Sequence, residues 1–358
     1  MPWPDWSDQF LSNYISIQAG GQHPANRTFG PIPPMLVAQC LSAHSNAMSK
    51  DSTAAKSFDD GDMGRGADYV IGPDPSDPKL TQAVSGIDQD GNRVETRVVV
   101  ERPLTIYLNG QEIVTNMTIG DFPDYLAVGF LLNQNMLRAD DEITAIDYDE
   151  DLELVVVRTA RETDYEEKLK KKTRTSGCAQ GTVFGDLMEK IEDIELSATA
   201  RLRTSWLYEL TRRINTTDSL YLAAGAIHGC VLCQEDRPLV YMEDVGRHNA
   251  VDKIAGYMFL NDIPAEDKIF YTTGRLTSEM VIKTVQMRIP ILVSRSGFTA
   301  WGVELARETG LTLIGRARGK RFMALAGEER IEFDADPAAA AEEPKAARRK
   351  AGRGRDDG

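Results

Sequence analysis

The feature that most constrains this chain is an alternation running from Leu220 to Ile314, in which short apolar runs take turns with amphipathic stretches. The pattern reads as strands Leu220–Ile227, Leu239–Met242, Ile269–Thr272, Ile291–Val293 and Thr312–Ile314. Helices Asn249–Phe259, Ser278–Met287 and Thr299–Thr309 lie between them. Strands joined through helices cross over and pair in parallel, so the expected fold class is α/β, a mostly parallel sheet with helices on both faces. Ser197 is expected to cap a further helix in which Leu202, Trp206, Leu210 and Ile214 form one buried stripe.

Upstream, residues 93–165 read as a smaller N-terminal α+β domain. Runs Val94–Val100, Leu104–Leu108 and Ile113–Met117 are separated by turn signals, among them the hairpin dipeptide Asn109-Gly110. Asp121 is expected to cap a helix with Pro123 in its first turn, and Ile143–Ile146 and Leu152–Val157 follow as a strand pair. Residues 166–196 read as a flexible loop carrying Cys178, and residues 197–333 as the α/β cofactor-binding domain. Nine of the sixteen prolines fall in residues 1–92, among polar tracts without period, which reads as a disordered or loosely attached extension. Residues 334–358 are small and charged, a disordered tail.

Charge then narrows the partners. Forty-one Lys and Arg against 55 Asp and Glu leave a net charge of −14, which repels a phosphodiester backbone and argues against nucleic acid. No apolar run exceeds Leu220–Ile227, far short of the roughly 20 residues of a membrane span. Four cysteines, at positions 40, 178, 230 and 233, are too few for a disulfide framework and fit a reducing cytoplasm, which is the expected location, with no secretory signal visible.

Several clusters have the composition of a site. Cys178 follows the basic run Lys168–Arg174, which favours thiolate over thiol and suits a nucleophile; the bland alternative is an incidental surface cysteine. His228-Gly-Cys230-Val-Leu-Cys233 has metal-ligand spacing, but on one strand Cys230 and Cys233 project to opposite faces, and buried thiols acting as small hydrophobes is the favoured reading. Glu243–Lys253 packs six ionisable residues into a strand-to-helix junction, with Gly246 allowing close approach of a ligand to backbone beside Arg247 and His248. Helix capping and solvated charge is its rival. Thr273-Gly274-Arg275, with Ser278 and Glu279, repeats the pattern at the next strand end, and Ser294–Gly297 repeats it again, three junctions that converge on one crevice in an α/β sheet. The segment Arg316-Ala317-Arg318-Gly319-Lys320-Arg321 holds four cations in six positions, which suits a phosphate-bearing ligand. No P-loop and no strand-borne GxGxxG occurs.

The runs EDVGRHNAVDKIAG, TGRLTSEMVIKTVQMRIPILVSRSGFTAWGVELA and LTLIGRARGKRF resemble the FdhD family, the accessory sulfurtransferases of formate dehydrogenase, over about Glu95 to Ala326. The resemblance implies a cytidine-deaminase-like C-terminal domain without deaminase activity. It also implies a sulfur carrier that takes persulfide sulfur from a cysteine desulfurase and passes it to the molybdenum cofactor in its bis-guanine-dinucleotide form. That cofactor is bound as substrate, with no permanently bound metal. Formate dehydrogenase is the final partner, and a homodimer is allowed. By position, Cys178 falls where the family has the first cysteine of a loop C-x-x-C, but Gly181 stands at the second, so Cys178 acts alone or with help from Cys230 or Cys233. Arg316–Arg321 aligns with the family's cofactor-contact segment. Two rivals remain: a carrier that holds the cofactor without covalent sulfur chemistry, and a zinc hydrolase.

Overall fold

The computed structural model describes residues 69–161, 191 and 193–337; Cys178, Gly181 and the basic run Lys168–Arg174 lie outside the described residues. Residues 69–92, assigned on composition to the extension, carry structure. Ile71 bridges Val240, and β1 (Thr81–Ile87) pairs antiparallel with β2 (Arg93–Val99). The small unit follows as β3 (Arg102–Leu108), β4 (Gln111–Thr118), helix α1 (Pro123–Asn133), β5 (Ile143–Asp149) and β6 (Leu154–Thr159), with sheet order β4-β3-β6-β5. Asn109 opens the β3–β4 turn in the left-handed region at φ 54°, which Asn tolerates and which suits the twist of a tight hairpin. Alternate residues Leu104, Ile106 and Leu108 face inward and meet Leu126 and Leu131 of α1 and Val155 and Val157 of β6 in one core. Asp121 does not cap α1; Phe122 stands at the N-cap without a side-chain bond, and Asp121 instead pairs with Lys253.

The larger unit contains β7 (Leu202–Arg203), α2 (Thr204–Thr216), α3 (Leu220–Ala224), β8 (His228–Gln234), β9 (Arg237–Asp244) and α4 (Arg247–Leu260). After these come β10 (Lys268–Thr272), α5 (Ser278–Gln286), β11 (Ile291–Ser294), α6 (Ala300–Glu308), β12 (Thr312–Arg318), β13 (Arg321–Ala326) and β14 (Ile331–Glu332). Its main sheet has order β13-β12-β11-β10-β8-β9. The expectation of a mostly parallel sheet is corrected here: β10–β11 and β11–β12 are parallel, whereas β12–β13, β10–β8 and β8–β9 are antiparallel. The cause is connection length. Helices α5 and α6 carry the chain back to the sheet's start and force parallel pairing, but tight turns after Gln234 and Arg318 reverse it at once. The predicted strand Leu220–Ile227 is likewise the short helix α3, because Ser219 accepts the Leu222 amide at its start and Gly225 at φ 67° ends it.

Strict alternation divides the sheet into two faces. Cys230, Leu232, Met242, Phe270, Leu292 and Leu313 face Val251, Ile254, Met280, Val281 and Leu305 of α4, α5 and α6. Val231, Cys233, Tyr241, Ile269, Tyr271, Val293 and Ile314 face Leu207, Leu210 and Ile214 of α2. Helices thus cover both faces. Helix α2 begins at Thr204 rather than near Ser197, and its cap arrives from far along the chain: Asp334 Oδ1 accepts the Ser205 amide at 2.9 Å and the Thr204 hydroxyl at 3.0 Å. β14 brings it there by pairing with β7. None of the six helices among the described residues is long and apolar enough to cross a membrane.

Candidate functional site

Register puts the ends of five strands in a row. His228 at the start of β8 faces Asp244 at the end of β9, Cys230 faces Thr272 at the end of β10, and Thr272 faces Ser294 at the end of β11. Val293 in turn faces Ile314, which places Gly315 and Arg316 on the same edge. Small hydroxyl residues lock each turn to the next. Thr272 Oγ1 accepts the Gly274 amide at 3.0 Å, Ser294 Oγ donates to the Gly274 carbonyl at 2.6 Å, and the Arg316 amide donates to the Ser296 carbonyl at 2.9 Å. The three junctions named from sequence therefore form one continuous rim.

Arg247 and His248 open α4, with Gly246 at the N-cap, and both side chains are only 5% exposed. Arg247 crosses to the next junction: a Cβ on Gly274 would stand 3.4 Å from Arg247 Cβ, so the glycine makes room for it. Glu279, in the first turn of α5, receives both residues. Its Oε2 lies 3.0 Å from His248 Nε2 and 3.8 Å from Arg247 Nη2. Burial holds the His248 pKa below its ordinary value, with Glu279 opposing that pull. Burial also lowers the His228 pKa, aided by the guanidinium groups of Arg247 and Arg275. For both rings burial beside guanidinium groups favours the neutral form. Arg275 is exposed at the rim.

The segment Arg316–Arg321 divides. Arg316 sits at a β-bulge in the left-handed region, φ 55°, and its guanidinium lies over the Phe298 ring at 5.3 Å. Gly315 permits this, since a Cβ there would fall 2.6 Å from the Phe298 ring. Arg318 Nε donates to the Arg295 carbonyl at 3.3 Å, and the Arg295 guanidinium lies 5.3 Å over Tyr221. Lys320 departs toward α2, over the Tyr208 ring at 5.4 Å, while Arg321 is exposed. Ala317 turns its methyl into the core on the α2 face, so a ligand can meet it through backbone alone, and Gly319, at φ 56°, makes the turn. Phe298 was not singled out from sequence; an aromatic beside a strand-end glycine was the available signal.

The Glu243–Lys253 run resolves into two jobs. Four of its charges build the frame: Glu243 caps α3 by accepting the Leu220 and Tyr221 amides at 2.8 and 3.1 Å, and Asp252 pairs with Lys283 at 2.7 Å. Asp244, fully buried, accepts from Lys253 Nζ at 2.6 Å, Thr118 Oγ1 at 2.5 Å, Asn249 Nδ2 and the Gly246 amide, both at 2.9 Å. Burial alone would depress the Lys253 pKa, but the carboxylates of Asp121 and Asp244 outweigh it and hold it raised. Thr118 and Asp121 belong to the small unit, so this network ties that unit to the start of α4. Arg247 and His248 are left to Glu279 across the strand ends.

The strand reading of His228–Cys233 holds: Cys230 and Cys233 enter opposite cores and cannot converge on one ion. Burial pushes the Cys230 thiol up to about 12 and that of Cys233 upward as well. Neither is a nucleophile as placed.

A family model described as the FdhD/NarQ family matches residues 99–332. A Wolinella succinogenes protein named sulfur carrier protein FdhD is 31% identical over 242 residues, 67% of this chain and 84% of the relative. One of the same name from Bacillus pumilus is 31% identical over 241 residues, 65% of this chain and 90% of that one. Among solved structures, a formate dehydrogenase accessory protein from Desulfotalea psychrophila aligns with TM-score 0.58 and 28% identity, covering 71% of this chain and 99% of the other.

Proposed function

The chain belongs to the FdhD/NarQ family, and on that premise we propose that it is a sulfurtransferase serving formate dehydrogenase. Cys178 is the carrier. Its thiolate attacks the outer sulfur of a cysteine desulfurase persulfide, the desulfurase leaves as thiolate, and the sulfur stays on Cys178 for transfer to the molybdenum cofactor. We read the mixed six-stranded sheet as a deaminase-like frame put to carrier use in the cytoplasm.

The observation that carries this reading is the cationic rim, where Arg247, Arg275, Arg316 and Arg318 meet along one sheet edge in a chain whose net charge is −14. Guanidinium groups in that setting suit the phosphates of the bis-guanine-dinucleotide form of the cofactor, which binds as substrate. Gly274 makes room for Arg247 among them. Lys320 and Arg321 extend the positive field away from the rim. Because Cys230 and Cys233 are buried, they support a mechanism in which Cys178 works without a second cysteine from the α/β domain.

The test is to incubate the full chain with a cysteine desulfurase and cysteine, then map peptides by mass. The expected product is one added sulfur on the Cys178 peptide, with loss of formate dehydrogenase maturation in Cys178→Ala. Full maturation by that variant would return the protein to a non-covalent cofactor carrier.

A further inference from the structure

We propose that Thr118 and Asp121 of the small unit are positioning residues for Arg247: acting through Asp244 and Lys253, they hold the turn from which that guanidinium enters the strand-end rim. This rests on the reading of the rim as an anion site. β9 ends at Asp244 and α4 begins at Arg247, so only Val245 and Gly246 separate the carboxylate from the arginine. Asp244 divides its two oxygens. Oδ1 serves the turn, accepting the Gly246 amide just before Arg247 and Asn249 Nδ2 just after it, both at 2.9 Å. Oδ2 serves the small unit and the counter-ion, accepting Thr118 Oγ1 at 2.5 Å and Lys253 Nζ at 2.6 Å. A carboxylate only accepts, which fixes the direction of the chain of bonds: the Gly120 amide donates to Thr118 Oγ1 at 3.4 Å, and the Thr118 hydroxyl donates its proton onward to Asp244.

The small unit reaches this turn by more than one route. Asn249 Nδ2 also donates to the Met117 carbonyl at 2.7 Å, and Lys253 Nζ reaches both Asp121 and the Glu243 carbonyl, the latter at 3.0 Å. Gly246 lets Asn249 close over the turn, since a Cβ there would stand 3.0 Å from its Nδ2. Arg247 is thereby flanked on both sides by residues whose hydrogen bonds lead to the connection between β4 and α1. Buried charge-assisted bonds are short and directional, and a guanidinium set by them loses little freedom when an anion arrives. A second buried bond between α1 and α4 supplies the comparison: Asn133 Nδ2 donates to Asp252 Oδ1 at 2.7 Å, further along α4 and away from the turn.

The experiment uses the full chain labelled with 15N-arginine, the Arg247 Nε–H resonance being assigned with Arg247→Lys and pyrophosphate binding followed by calorimetry. Thr118→Val keeps the shape of the side chain and removes the donor. It should move the Arg247 resonance toward those of exposed arginines and weaken pyrophosphate binding by about fivefold, the worth of one hydrogen bond. Thr118→Ser, which keeps the hydroxyl, should leave both near wild type. Asp121→Asn, acting through Lys253, should move the same resonance in the same direction. Asn133→Ala should lower the urea midpoint and leave both readouts in place. An Arg247 resonance unmoved by Thr118→Val, or moved with undiminished pyrophosphate binding, overturns the proposal. So does an equal shift in Thr118→Ser or in Asn133→Ala, which would mark a general loosening of the two units. Should Thr118→Val not fold, Asp121→Asn decides, an unmoved resonance overturning the proposal. Failure of wild type to bind pyrophosphate rejects the anion-site reading instead, while the Arg247 resonance still decides what holds that side chain.

Discussion

Gly129 of α1 packs onto Gly256 of α4 with no room for a methyl group: a Cβ on Gly129 would stand 2.7 Å from the Gly256 amide nitrogen and 1.7 Å from the Asp252 carbonyl oxygen. The relation is reciprocal, since a Cβ on Gly256 would fall 2.0 Å from the Tyr125 carbonyl oxygen. In an isolated helix Gly→Ala stabilises by about 1 kcal/mol. Here the backbones must part, and Gly129→Ala or Gly256→Ala should destabilise by about 3 kcal/mol or more, the range of overpacked cores. A denaturant midpoint at or above wild type would show that the crossing yields freely.

Three residues before Gly256 on α4 stands Lys253, the cation of a buried network. Lys253 neutralises Asp121 and Asp244 with no exposed surface of its own. Lys253→Met removes the cation and leaves the fully buried Asp244 carboxylate beside the partly exposed Asp121 without a counter-charge, which should cost about 3 kcal/mol. Equilibrium unfolding in urea at pH 7 measures it. Adding Asp244→Asn should recover part of the loss, because the repulsion goes with the second charge.

Thiol chemistry separates the cysteines. A pKa pushed up to about 12 leaves roughly one Cys230 in 10⁵ as thiolate at pH 7, and burial denies reagents access in any case. Iodoacetamide should therefore label Cys230 and Cys233 after unfolding and not before, and Cys230→Ala should still accept sulfur from the desulfurase. Sulfur recovered on either peptide from native protein would overturn the single-cysteine mechanism.

Asp334 supplies an acid-sensitive cap. Hydrogen bonds from the Ser205 hydroxyl and amide and from Thr204 hold its pKa down to about 2, against an ordinary value of 3.8. The folded state thus prefers the carboxylate; the cap's contribution is complete above the unfolded pKa and is lost as pH falls from about 4 toward 2. Asp334→Asn should flatten that part of the stability-against-pH curve, with its loss full at neutral pH and fading as wild type is acidified toward pH 2, as followed by thermal melts.

How far the sequence carried the fold depends on what set each element. Helices α4, α5 and α6 and the strands between them were legible, because apolar spacing and Gly or Ser joints are local signals. Sheet direction was not: β13 and β9 owe their orientation to turns too short to cross the sheet, and nothing in strand composition marks which neighbour a strand chooses. Helix α3 was read as a strand for a similar reason, its short apolar run obscuring the Ser219 and Gly225 caps. At the site, Arg247, His248, Arg275 and Arg316 were visible as charge at strand ends. The division of Glu243–Lys253 into frame and crevice was not, since it depends on Thr118 and Asp121, more than a hundred residues upstream. Ala317 sat within the cationic run but faces the core, because the bulge at Arg316 shifts the alternation.

That bulge allows stability and ligand binding to be measured apart. Arg316 holds φ 55°, a conformation that costs a residue with a Cβ roughly 1 kcal/mol and costs glycine little. Arg316→Ala and Arg316→Gly both remove the guanidinium and its contact with Phe298, so they lose the same side chain. They differ in backbone freedom. The glycine variant should therefore be more stable than the alanine variant by about 1 kcal/mol, while both bind pyrophosphate about tenfold more weakly than wild type, the loss of one charge-assisted contact. Gly315→Ala approaches the same place from the other side, driving a methyl into the Phe298 ring at 2.6 Å and displacing the platform under Arg316. Its pyrophosphate affinity should fall as well, with Arg316 still present. If both Arg316 variants titrate like wild type, the guanidinium lies outside the anion site and the rim must be drawn through Arg247 and Arg275 alone.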